Sequence, residues 1–211
     1  ELDVLYKDDD CLVVYKPAGV LTHSKGAFNP EATVATFVAP KLTALNGERG
    51  GIVHRLDRIT SGVIIAAKTP EAMSWLQKQF AQRRTKKTYV AVIEGNLTPS
   101  EAVIDMPIER NPKKPQTFRV GANGKSAQTT YRTLKTGDKY SLVELKPFTG
   151  RTHQLRVHMA GQGHPIVGDT LYGAQPADRV YLHAISLELT LPNRQRKVFT
   201  SSLPTEFEAI I

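Results

Sequence analysis

Residues Gly50-Gly51-Ile52-Val53-His54-Arg55-Leu56-Asp57-Arg58-Ile59-Thr60-Ser61-Gly62 set one carboxylate, Asp57, among His54, Arg55 and Arg58. Cationic neighbours favour the ionised form of such an acid. An anionic acid held ready suits a nucleophile or a general base better than a general acid. A glycine pair opens the stretch, and Thr60-Ser61-Gly62 closes it with ordinary turn chemistry. On spacing alone the same residues also fit a solvated ion-pair cluster on a surface loop, the commonest use of Arg-x-Asp-Arg.

The elements that must position Asp57 are legible around it. Val63-Ile64-Ile65-Ala66-Ala67 is an uninterrupted apolar run that predicts a buried strand. The acid is thus delivered to the end of a central strand. Leu12 to Tyr15 predicts another strand, stopped by Lys16-Pro17-Ala18-Gly19 because Pro17 biases Lys16 away from helix and Gly19 permits a turn. A weak helical pattern over 33–45 is interrupted by Pro40. Thr69 caps and Pro70 starts a helix to about residue 82, with Met73, Leu76 and Phe80 on one apolar face. That Met/aromatic stripe is core packing.

Lys86 to Gly95 reads as a strong strand, and Tyr89 by pattern is a core aromatic. Runs 126–136 and 140–146 predict strands joined by a hairpin turn at Gly137-Asp138, and the basic segment Asn111 to Pro115 an exposed loop. Gly150 ends a strand, and a short helix follows, with Leu155 and Met159 one turn apart and Gly161 as its stop. Val180 to Leu187 predicts a last central strand, Val198 and Phe199 an edge strand, and Pro204 to Ile210 a closing helix or turn. His23 reads as a surface histidine. This strand-rich, helix-poor order predicts an α+β fold with a mixed sheet, and no linker or repeat divides residues 1–211.

The chain has 211 residues, of which 40% are apolar, enough for a core of one generous domain. No segment approaches a membrane span in length, and no signal peptide is visible. One cysteine, Cys11, excludes an internal disulfide framework and predicts a reducing, cytoplasmic setting. Twenty-eight Lys and Arg against 20 Asp and Glu give a net charge of +8, which calls for a polyanionic partner. Composition leaves RNA, DNA and an acidic lipid surface open. Three basic clusters favour a surface that binds a nucleic-acid backbone: Lys78, Arg83, Arg84, Lys86 and Lys87; Arg110, Lys113, Lys114, Arg119 and Lys125; Arg194, Arg196 and Lys197. His153, His158 and His164 have no zinc-ligand spacing, and Gly161-Gln162-Gly163 lacks the third glycine of a dinucleotide loop. Neither a metal nor a nucleotide cofactor is expected.

The string His54-Arg55-Leu56-Asp57-x-x-Thr60-Ser61-Gly62 resembles the signature of the RluA-type pseudouridine synthases. Further matches are Lys16-Pro17-x-Gly19, Lys87-x-Tyr89-x-Ala91-x-Val, Gly150-Arg151-Thr152-His153-Gln154-Leu155-Arg156, Pro165 to Gly173 and Leu182-His183-Ala184, so the resemblance covers nearly the whole chain. It implies a single catalytic domain over 1–211 with an extended, largely antiparallel sheet flanked by helices and a basic cleft. A small RNA-binding domain precedes this region in many relatives; none is expected within these residues. The implied reaction is isomerisation of uridine in structured RNA to pseudouridine, with large-subunit ribosomal RNA as the leading substrate, transfer RNA or dual use of both as the runner-up, and a noncatalytic RNA-binding module as the less favoured alternative. Asp57 matches the family's catalytic aspartate, Tyr89 its base-contacting tyrosine, and Arg156 the arginine that contacts the aspartate. A buried arginine paired with an acid also serves simply to hold a fold together. Arg55 matches the residue that fills the space of the flipped base, and Leu182 an aliphatic residue packed on that base. His54, Arg58, Arg83, Arg84, Lys86 and Lys87 complete the expected RNA contacts of a monomer working without cofactor or membrane.

Overall fold

A computed structural model describes residues 1–24, 30–45 and 50–211. In chain order the strands and helices are β1 (Val4–Lys7), β2 (Cys11–Lys16), α1 (Val34–Val38), β3 (Ser61–Ala67), α2 (Pro70–Ala81), β4 (Lys86–Glu94), β5 (Glu101–Asp105), β6 (Ile108–Arg110), β7 (Phe118–Val120), β8 (Gln128–Thr136), β9 (Tyr140–Pro147), α3 (Gln154–Gly161), β10 (Leu182–Thr190), β11 (Arg196–Thr200) and α4 (Thr205–Ala209). This is the α+β composition that the sequence predicts. Two compact units form: Glu1–Lys86 with Ala184–Ser202, and Lys87–His183 with Leu203–Ile211. Among the described residues no helix is long and apolar enough to cross a membrane.

In the first unit β2 pairs antiparallel with both β1 and β3, and β10 with β11. All seven residues of β3 are buried, as its continuous apolar run requires. Thr69 accepts a hydrogen bond from the Ala72 amide at 3.1 Å, and Pro70 occupies the first turn of α2. The helix buries Ala72, Leu76 and Gln79, with Met73 and Phe80 only flanking the core. Gln79 takes an inward place because its side-chain oxygen accepts the Thr190 amide, 3.2 Å away. Val13, Ile65, Leu76, Leu187 and Leu189 form the centre of this core, each worth about 1.5–3 kcal/mol of burial. His23 is only 7% exposed, which corrects the expectation of a surface position. The turn that carries it is drawn inward where Leu21 bridges Thr33 and the Ala35 amide donates to Thr22.

In the second unit the strand order is β4-β9-β8-β5, all antiparallel, with β6 and β7 as a separate hairpin. The predicted turn at Gly137-Asp138 closes the β8–β9 hairpin, with the Gly137 amide donating to the Tyr140 carbonyl. β10 starts at Leu182, two residues later than predicted. The Leu182 amide turns back to the Val180 carbonyl at 2.9 Å, a tight local bond that breaks the extended run.

Candidate active site

Asp57 lies in a loop whose two ends are fixed by glycine. Gly51 has φ +82°, and a Cβ there would come within 2.3 Å of the Ala67 carbonyl oxygen. Gly62 has φ +132°, and its Cβ would come within 2.2 Å of the Ala184 oxygen. No other residue type fits such close backbone approaches.

Between these ends the backbone on both sides of Asp57 is held. The Thr22 hydroxyl donates to the Leu56 carbonyl at 2.8 Å and accepts from the Leu56 amide at 3.1 Å. The Arg58 carbonyl receives the Gly19 amide at 2.7 Å and the Lys16 ammonium at 3.3 Å. Lys16 is fully buried, and the same ammonium donates to the carbonyls of Pro17 at 3.0 Å and Val20 at 2.6 Å. The Asp57 carbonyl itself accepts the Thr60 amide at 3.0 Å. A side chain on a backbone held this way loses little freedom on meeting a substrate. Lys16 and Thr22 are the positioning residues that sequence reasoning missed. Lys-Pro-x-Gly carried the signal, since a lysine kept in place beside a turn has carbonyls within reach.

The Asp57 side chain is 22% exposed, and its Oδ1 lies 3.9 Å from Arg55 Nη2. The two opposite charges are thus neighbours without a hydrogen bond between them. Arg55, at 48% exposure, reaches solvent. His54 is used by the protein itself. Its Nε2 accepts the Ile65 amide at 3.0 Å, and its ring stacks on Phe80 at 4.5 Å. Arg58 is engaged by Glu31 through both terminal nitrogens and also donates to the Gly19 carbonyl. The hydrogen bond to Glu31 raises the guanidinium's pKa further. With its charge offset in this way, Arg58 is a poorer phosphate ligand than its place beside Asp57 suggests.

Tertiary structure joins two of the basic clusters. Arg196 donates to the Arg84 carbonyl at 2.7 Å and to Glu188 at 3.0 Å, and Lys86 lies 3.8 Å from the same Glu188. Arg194 sits over the Trp75 ring and Lys197 over the Tyr6 ring. Arg83 projects from the end of α2, with φ +54°.

The second unit carries Lys87, Tyr89, Arg156 and Leu182. Tyr89 pairs with Leu145 in the β4–β9 ladder and is half-buried. Leu182 is 3% exposed and opens β10. Arg156 is buried on α3 and makes a two-pronged bond to Asp169, with Nε and Nη2 each 2.8 Å from one carboxylate oxygen. The resemblance assigned this arginine to Asp57; it also has an acid of its own. Two of its five N–H groups serve Asp169.

The three histidines that invite a metal have other partners. His153 Nδ1 lies 2.5 Å from the Tyr172 hydroxyl, His158 bonds Thr129 and the Met106 carbonyl, and His164 Nδ1 lies 2.8 Å from the Glu94 carbonyl. Among the described residues no group of three or more His, Cys, Asp or Glu could hold a metal ion.

Known proteins agree with the motifs. Ribosomal large subunit pseudouridine synthase D of Borreliella burgdorferi is 39% identical over 215 residues, covering 97% of this chain and 66% of that protein. The protein of the same name from Nitrosomonas europaea is 38% identical over 225 residues, covering all of this chain and 64% of its own. The chain thus spans slightly under two thirds of these curated relatives. The solved structure of human RNA pseudouridylate synthase domain containing 1 superposes with a TM-score of 0.80 at 30% identity, covering 96% of this chain and 83% of that one. The RNA pseudouridylate synthase family profile matches residues 10–161, and the chain belongs to that family.

Proposed function

We propose that this protein isomerises uridine in structured RNA to pseudouridine and that Asp57 is the carboxylate that performs it. The C1′–N1 glycosidic bond breaks, a C1′–C5 bond forms, N1 gains a proton and C5 loses one. Asp57 acts as nucleophile on the sugar or as base on the nucleotide. Arg55 takes the place of the flipped uridine, Tyr89 and Leu182 hold the base, and Arg156 balances the charge of Asp57. Residues 1–211 form the catalytic domain, a monomer in the cytoplasm that needs neither a metal nor a nucleotide cofactor. The names of the relatives favour large-subunit ribosomal RNA as substrate, with transfer RNA as the alternative. The observation that carries this reading is a single carboxylate, inside the family's motif, on a backbone fastened at residues 56, 57 and 58.

The test is Asp57→Asn, which preserves shape and removes the anionic oxygen. Pseudouridine from a single-turnover reaction should become undetectable, while the fold and RNA affinity at fixed salt persist. Affinity should hold or rise, because a negative charge has left a phosphate-binding surface. Substantial yield from the Asn protein, free of deamidation back to Asp, defeats the assignment. Loss of fold and binding together would show that Asp57 serves a structural ion pair.

A further inference from the structure

The second unit contains a cavity of about 490 Å³ that the reaction above does not use. Its walls come from the β6–β7 hairpin, from the turn that follows it, and from Gly150-Arg151-Thr152 ahead of α3. The volume falls within the range of small-ligand sites, roughly 300–1,000 Å³.

Three cations line it: Arg110, Lys125 and Arg151. Among the described residues no carboxylate pairs with any of them, and Glu109, the acid in the wall, faces Arg119 at 3.4 Å. Like charges gathered around a concavity focus a positive field into it and draw in an anion. Two of the three are oriented by the fold. Arg151 donates from Nε to the Ser126 carbonyl at 2.8 Å, so its terminal nitrogens are the donors left for a ligand. Arg110 donates to the Pro115 carbonyl at 2.6 Å, and its guanidinium lies over the Phe118 ring, 4.8 Å from the centroid. Phe118 is in turn braced edge-on by His153 at 5.7 Å, and its amide donates to the Tyr172 hydroxyl. An arginine seated on an aromatic ring is a rigid, flat surface on which a nucleobase can stack.

An anion site beside a stacking surface is the chemistry of a nucleotide. We propose that this cavity takes one unpaired nucleotide of the RNA substrate, other than the uridine that reacts. Its base stacks on Arg110 and Phe118, and its phosphate is held by Arg151 and Lys125. The inference rests on RNA being the partner. It makes the β6–β7 hairpin a selector for RNA with a second base free of the helix. A free mononucleotide has the same chemistry, so the experiment separates the two sources.

Short RNAs carrying 4-thiouridine at one position near the target are bound, irradiated, and the cross-linked residues mapped. In parallel, Arg110→Ala/Lys125→Ala is compared with wild type for RNA affinity, its salt dependence, binding of free uridine monophosphate, melting temperature and pseudouridine yield. The expected result is a nucleotide adduct at Phe118 or its cavity neighbours. The double variant, with its melting temperature kept, should bind RNA about tenfold more weakly. Its salt slope should fall by roughly 0.7–0.9, as one phosphate-facing cation, Lys125, is lost. No adduct in the cavity together with unchanged affinity overturns the proposal. Uridine monophosphate binding that the variant abolishes, with RNA affinity intact, also overturns it in favour of a free nucleotide. Wild-type protein that cross-links through the cavity yet makes no pseudouridine defeats the catalytic reading and leaves this one standing. Normal pseudouridine yield without adduct or affinity loss defeats only the cavity.

Discussion

Arg156 and Asp169 meet edge to edge inside the second unit, with two parallel hydrogen bonds of 2.8 Å and side chains only 7% and 1% exposed. Tyr172 lies beneath the guanidinium, its ring centroid 5.1 Å away. The arginine that the family motif marks for catalysis is therefore oriented by an acid 13 residues downstream. Asp169→Ala leaves that guanidinium buried without its carboxylate. The expected cost is about 3–5 kcal/mol of stability, read from urea unfolding. A loss under about 1 kcal/mol would mean that water reaches the pair and replaces the acid.

Thr22 offers a cleaner probe of how Asp57 is held. Thr22→Val conserves shape but deletes the hydroxyl that both donates to and accepts from Leu56. Two buried backbone groups lose their partner, for about 1–3 kcal/mol. If the contact positions Asp57, kcat should drop by roughly tenfold while KM for RNA stays the same. A change confined to KM, or to melting temperature, would limit Thr22 to the fold.

Arg83 sets stability against binding. The Arg84 amide reaches the Gln79 carbonyl and the Arg83 amide the Phe80 carbonyl, a helix end that usually has glycine in the left-handed position. Arginine at that place is strained. Arg83→Gly should stabilise the protein by about 0.5–1 kcal/mol in thermal or urea unfolding. It should also weaken RNA binding and lower the salt slope by roughly 0.7–0.9, if the charge touches phosphate. Increased stability with unchanged affinity would take Arg83 out of the interface.

His158 predicts the direction of a pH effect. Its Nε2 can only donate to the Met106 carbonyl, and in the neutral imidazole that burial favours Nδ1 then accepts from the Thr129 hydroxyl. Burial holds its pKa below the ordinary histidine value of about 6.5. The unfolded chain therefore binds a proton that the folded chain resists. Stability from this group is present above pH ~6.5 and declines as pH falls toward the lowered folded value. Urea unfolding of wild type and His158→Leu across pH 5–8 checks the sign. The variant should start lower, having left the Met106 carbonyl without its donor, and should lack this part of the slope. An identical slope in both proteins would assign the pH dependence to other groups.

Much of this protein is written in local sequence. β3 is predicted by five apolar residues in a row, α2 by Thr69-Pro70 and its periodic apolar face, and β4 by Tyr89 to Ile93. Each of these signals acts through neighbours in the chain: backbone propensity, capping, and the repeat that places apolar side chains on one side. Asp57 was conspicuous for the same reason, as the one acid in a basic loop bounded by glycine. What pattern could not assign was inward or outward placement where polar residues are paired at a distance. His23 looked like a surface residue and is buried. Gln79 displaced Phe80 from the inner face of α2 because Thr190, 111 residues away, needed an acceptor.

Strands and helices, the positive charge, and the residue types available for chemistry are all local properties of the chain. Which charges remain for a ligand depends on how distant segments meet in space. Arg58 gives its charge to Glu31 across 27 residues, and Arg156 gives one edge to Asp169. Arg110, Lys125 and Arg151 meet around one cavity with no such partner among the described residues. Coulombic pairing depends on distances in space, and a net charge of +8 carries no information about them. The same holds for Lys16. Its four-carbon stem and ammonium are local facts, but the Arg58 carbonyl it reaches lies 42 residues on, and only folding brings the two to 3.3 Å.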